Sequence, residues 1–86
     1  MIFLITYEIT SGEEKHISHH TIRALNRSEA KRRALEYISH FFAGGTRPDD
    51  ELPSRFWAED DSEYIELVEI KQATPRQLVD ELSIDD

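Results

Sequence analysis

Four histidines and several runs of carboxylates are the residues of this 86-residue chain that could do chemistry. His16, His19 and His20 crowd one stretch, and imidazole is the commonest protein ligand for zinc. In an extended strand, however, His16 and His20 stand about 13 Å apart, too far for one ion, and His19 points to the other face. A bulge could bring one pair together and His40 could add a third ligand. The reading carried forward is solvated strand histidines, with no metal and no cofactor.

The acidic runs Asp49-Asp50-Glu51 and Glu59-Asp60-Asp61-Ser62-Glu63 lack the alternating ligands, central glycine and distal glutamate of an EF-hand calcium loop. Acid–base catalysis would need one carboxyl held in an apolar pocket, and these lie in polar turns. Serine and histidine occur without a G-x-S-x-G elbow. With glycine only at positions 12, 44 and 45, neither G-x-G-x-x-G nor a P-loop can be written. The expectation is a protein without enzymatic activity.

One constellation favours binding. Phe56 and Trp57 are adjacent in a strand-like run, so they face opposite sides of a sheet. Trp57 beside Glu59, Asp60 and Asp61 has the composition of an interface hot spot, an aromatic anchor with a polar rim. The alternative is that a short C-terminal helix covers that face and Trp57 is core. Trp57, Glu59, Asp60 and Asp61, then Asp49, Asp50 and Glu51, are the expected partner-binding residues.

The elements that must position these groups centre on Asn26 to Gly45. Asn26 can cap a helix, with Glu29 three residues on to complete a capping box, and Gly44-Gly45 offers a stop. At about 100° per residue, Ala30, Ala34, Tyr37, Ile38 and Phe41 share a face that Leu35 and Phe42 widen. Lys31-Arg32-Arg33 fan around this helix and do not form a stripe. Arg33 lies four residues after Glu29 and Arg32 four before Glu36, which points to self-paired charges. Arg23, Arg27, Lys31, Arg32 and Arg33 are nevertheless the residues an alternative nucleic-acid-binding module would use.

Around the helix, Met1–Thr10 reads as a central strand, apolar on both faces over its first half. Ser11–Glu14 is a turn, and His16–Leu25 a poorly alternating strand at an edge or with a bulge. Residues 45–54 read as a loop, Arg55–Ala58 as a short strand, and Glu63–Lys71 as a second central strand. In that strand Ile65 and Leu67 point one way, and Tyr64, Val68 and Ile70 the other. Thr74-Pro75-Arg76-Gln77 opens a short C-terminal helix, and residues 84–86 are an acidic, frayed tail. The expected fold is one α+β domain over residues 1–86, ββαββα, with a four-stranded sheet in the order 2-1-4-3. Its element order resembles the β-grasp arrangement of ubiquitin-like proteins, which implies a mixed sheet. A wholly antiparallel sheet is the alternative.

Charge and composition bound the function. The chain carries a net charge of −8 and no cysteine. Residues 1–43 sum to +1 and residues 44–86 to −9. This is a poor balance for wrapping phosphate backbones and a good one for meeting a basic surface on a larger protein. No run approaches the roughly 20 apolar residues of a membrane span, and MIFLIT lacks the flanks of a signal peptide. The absence of cysteine leans to the cytoplasm.

In size, acidity and lack of a catalytic signature the chain resembles anti-CRISPR and anti-restriction inhibitors, some of which mimic nucleic acid with carboxylates. That resemblance implies a phage or mobile-element effector that blocks a host nucleic-acid-handling complex. The alternatives are the nucleic-acid-binding module above and a homodimeric scaffold subunit paired through an uncovered sheet face.

Overall fold

A computed structural model describes residues 1–73. Among them, five strands and one helix follow in the order β1 (Ile2–Ser11), β2 (Glu14–Arg23), α1 (Arg27–Ser39), β3 (Thr46–Pro48), β4 (Arg55–Ala58) and β5 (Glu63–Gln72). The strands form one antiparallel sheet in the order β2-β1-β5-β4-β3. The expected C-terminal helix and frayed tail fall on residues 74–86, outside the described residues.

The expected neighbours are in place: the two strands read as central, β1 and β5, lie side by side. Two features differ. Residues 45–54 are not all loop, because Thr46–Pro48 pairs with β4 and adds a fifth strand at the edge. That strand changes the parity of the chain's return after the helix, so β5 runs antiparallel to β1 and the β-grasp-like mixed sheet is excluded.

The β1–β2 hairpin is regular over ten residue pairs, from Ile2 opposite Arg23 to Ser11 opposite Glu14. Its turn is Gly12-Glu13, with Gly12 at φ 62°, a conformation glycine adopts without a Cβ clash. β2 is an edge strand, as its weak alternation suggests, and it carries no bulge against β1.

The irregularity sits in β5 instead. Thr6 pairs with Glu69 but Tyr7 pairs with Leu67, so Val68 is an extra residue without a partner on β1. A bulge reverses the side-chain phase beyond it. Ile70 therefore joins Ile65 and Leu67 on the helix side, correcting the plain alternation that set Ile70 against them.

Helix α1 covers that face. Ala30, Ala34 and Ile38 are buried, and they pack with Phe3, Ile5, Tyr7, Ile65 and Ile70 into one core. The two alanines let the helix approach the sheet closely. Asn26 Oδ1 accepts the Glu29 N–H at 2.9 Å, while Glu29 Oε1 reaches one residue further back than a capping box requires and accepts the Leu25 N–H at 3.1 Å. Arg27 Nη1 donates to the Ile70 carbonyl at 2.7 Å, tying the helix start to β5.

The helix stops at Ser39, before the glycine pair. Thr46 Oγ1 donates to the Ser39 carbonyl, Ser39 Oγ donates to the Glu36 carbonyl, and tight bonds from His40 and Phe41 back to Tyr37 and Ile38 take the last turn's acceptors. Phe41 and Phe42 thus lie beyond the helix. They still use their rings: Phe41 meets Tyr7 edge-on at 5.8 Å, and Phe42 packs on the core margin.

Candidate binding site

On the sheet face opposite α1, the three short reversals after the helix assemble a cross-strand group. Strand alternation places Phe56 against the core and Trp57 on the other face, as expected. Trp57 lies opposite Tyr64 with ring centroids 4.9 Å apart. The Arg55 guanidinium sits 4.2 Å from the Tyr64 ring centroid and forms two short bonds to Glu66 Oε1, at 2.7 and 2.8 Å. Tyr64, Arg55 and Glu66 were not among the residues singled out from sequence, although period-two alternation in β5 already put Tyr64 and Glu66 on one face.

Trp57 is half-buried, and its indole edge is also taken. Trp57 Nε1 donates to Asp49 Oδ1 at 2.7 Å. The other oxygen, Asp49 Oδ2, accepts the N–H groups of Glu51 and Leu52, each at 2.9 Å. A short polar side chain bonding the backbone two residues on is the usual way aspartate fixes a turn. These three donors, the indole first, hold the Asp49 carboxyl down at about 2. Trp57 is thus neither plain core nor a freely exposed anchor: its ring and its donor are both fixed, and part of its surface remains accessible.

The structure divides the expected residues. Asp49, Asp50, Glu51 and Trp57 line one open groove of about 350 Å³ together with Arg47, Leu52 and Arg55. Asp61 reaches the same region through an ion pair with Arg47. Asp61 takes a positive φ of 59°, which aspartate tolerates better than most residues. Glu59 and Asp60 instead line a separate depression beside Phe42, Gly44 and Gly45. Asp60 is held below the usual carboxylate range by bonds from the Ser62 hydroxyl and N–H.

The basic residues do not converge. Arg32 pairs with Glu36 and Arg33 with Glu29, as their spacing implies, and Arg27 is bound to the Ile70 carbonyl. Arg23 and Arg33 do line an open groove of about 750 Å³ between β2 and α1, with His20, His40, Tyr37 and Phe41. Lys31 lies elsewhere, along a shallow surface near Val68 and Ile70.

The histidines are dispersed. His20 stacks on Tyr37 at 4.0 Å, and His19 is on the other face with its Nδ1 3.0 Å from Thr6 Oγ1. Among the described residues no three of His, Asp and Glu converge as a metal ion would need. Nor is any helix among them long and apolar enough to cross a membrane.

No family model matches the chain, and neither curated proteins nor solved structures show a significant match.

Proposed function

We propose that this protein is a small, acidic, non-catalytic binding module whose contact site is the groove around Trp57. Its partner is a larger protein with a basic surface. The observation that carries this reading is the hydrogen bond from Trp57 to Asp49, which fixes an aromatic side chain and a carboxylate in one geometry before any partner arrives. Preorganised aromatics lose little freedom on binding and dominate interface energetics. Asp50 and Glu51 beside them, and Glu59 and Asp60 in the neighbouring depression, supply negative charge that steers a basic partner and sets its orientation.

In its most concrete form the proposal is a phage or mobile-element inhibitor that occupies a basic surface of a host nucleic-acid-handling complex. The net charge of −8 supports that form. A nucleic-acid-binding role for the basic residues is supported less, because Arg27, Arg32 and Arg33 are engaged within the chain.

The test is affinity capture from bacterial lysate at moderate salt, comparing wild type with Trp57→Ala, the variant's fold being checked by circular dichroism. A stoichiometric protein partner held by wild type and lost by folded Trp57→Ala is the expected result. Capture of nucleic acid, with steep loss of binding as salt rises, would move the site to Arg23 and the helix.

A further inference from the structure

The two edges of the sheet are built differently. Among the described residues β3, at one edge, is three residues long, ends in Pro48 and is flanked by the Arg47–Asp61 ion pair. Short length, proline and charge are the means by which edges are kept from pairing with other chains. β2, at the other edge, is ten residues long and has no proline and no bulge. It is exposed from Glu14 to Ile17 and again at His19, and Ile17 leaves 56% of its surface open. The charged residues of β2, Glu14, Lys15 and Arg23, stand at its two ends, and the stretch between them holds no lysine, arginine, aspartate or glutamate. Among the described residues this is the long, regular strand edge, and such an edge is a template for another strand.

We infer that β2 pairs with β2 of a second copy, antiparallel about a two-fold axis through Ser18, to give a continuous ten-stranded sheet with both helices on one face. The register follows from backbone geometry. Ala24 donates to the Met1 carbonyl, which fixes the pairs that exchange hydrogen bonds within the hairpin: His16, Ser18, His20 and Ile22 face β1. Lys15, Ile17, His19, Thr21 and Arg23 therefore turn their N–H and C=O groups outward. Only registers that oppose odd-numbered residues satisfy both edges, so a one-residue slip is excluded.

Among the registers that remain, centring on His19 sets Lys15 against Arg23, two positive charges. Centring on Ile17 shortens the pairing and sets Lys15 against His19. Centring on Ser18 pairs residues 14–22, sets Lys15 against Thr21 and Ile17 against His19, and brings Arg23 to Glu13 of the second copy. It forms about eight inter-strand hydrogen bonds and covers Ile17. This choice has the longest overlap without a like-charge pair, and it complements its own ends. The second copy is therefore the occupant that this edge fits.

The chain has no cysteine, so introduced thiols report the register cleanly. Opposed Ser18 Cα atoms at a non-hydrogen-bonded pair stand about 4.5 Å apart, within the span of a disulfide. The two His16 positions stand about 13 Å apart. Ser18→Cys should form a disulfide-linked dimer under mild oxidation and His16→Cys should stay unlinked. Wild type should sediment at twice the monomer mass. Ile17→Pro, which removes an outward N–H and no bond to β1, should sediment as a folded monomer. A monomeric wild type, equal crosslinking of the two cysteine variants, or a dimer that survives in folded Ile17→Pro would each overturn the inference. The cysteine pair decides it if the proline variant fails to fold.

Discussion

Trp57 donates its indole hydrogen to Asp49 across eight residues of chain, and this bond joins the loop after β3 to the strand that follows it. It stabilises the ionised form of the carboxyl, so its contribution to folding is present above the unfolded value near 3.8 and disappears as the pH falls toward about 2. The Trp57 indole proton, followed by NMR, should therefore titrate with a midpoint near 2. A midpoint near 4 would mean that the bond does not form.

Tyr37 behaves in the opposite sense at high pH. Burial first, and then the neighbouring Tyr7 hydroxyl, push its phenol up to about 12. The folded state favours the neutral form. That preference is fully present below the ordinary value of 10.0 and is lost as the pH rises through the folded value. Ultraviolet titration should show Tyr37 ionising later than a free tyrosine, and Tyr37→Phe should remove that late step.

Ile38 and Leu25 separate core from surface. Ile38, on the buried face of α1, has 0% of its surface exposed, whereas Leu25 is 77% exposed. Ile38→Ala should cost about 2–5 kcal/mol, a large share of the stability of a domain this small. Leu25→Ala should stay within about 0.5 kcal/mol. Urea denaturation of the two variants checks both values.

Thr10 is buried, and among the described residues its hydroxyl has no hydrogen-bond partner. Replacing an unsatisfied buried hydroxyl with a methyl removes a desolvation cost of about 1–3 kcal/mol. Thr10→Val should leave the melting temperature unchanged or raise it. A clear fall would show that the hydroxyl is bonded in solution.

The parts of the fold that were legible in the sequence are those governed by local chemistry. Asn26 and Glu29 mark the helix start because capping is decided within four residues. Ala30, Ala34 and Ile38 mark its buried face because periodicity is local as well. The helix ends earlier than the glycine pair suggests because its last carbonyl, that of Ser39, is satisfied by Thr46, seven residues on, and no local pattern announces that bond. The third strand was hidden for a similar reason: Thr46-Arg47-Pro48 has little strand character and is held by pairing with β4. At the site, Trp57 and Asp49 were both singled out, but not as partners, since a turn closed by one carboxylate is needed to bring them together. Arg55 and Arg47 were overlooked because, in sequence, they look like isolated charges.

Val68 shows how a strand can carry a residue that its pairing does not need. It is exposed, it faces no residue of β1, and its side chain adds little that threonine could not supply. The ladder with β1 counts straight past it, because Leu67 and Glu69 pair with the consecutive residues Tyr7 and Thr6. Without it, Leu67, Glu69 and Ile70 would still alternate in, out and in, and their pairs with Tyr7, Thr6 and Ile5 would run on without a break. The bulge is thus the place where β5 can change its length by one residue while the core face and the register with β1 stay fixed.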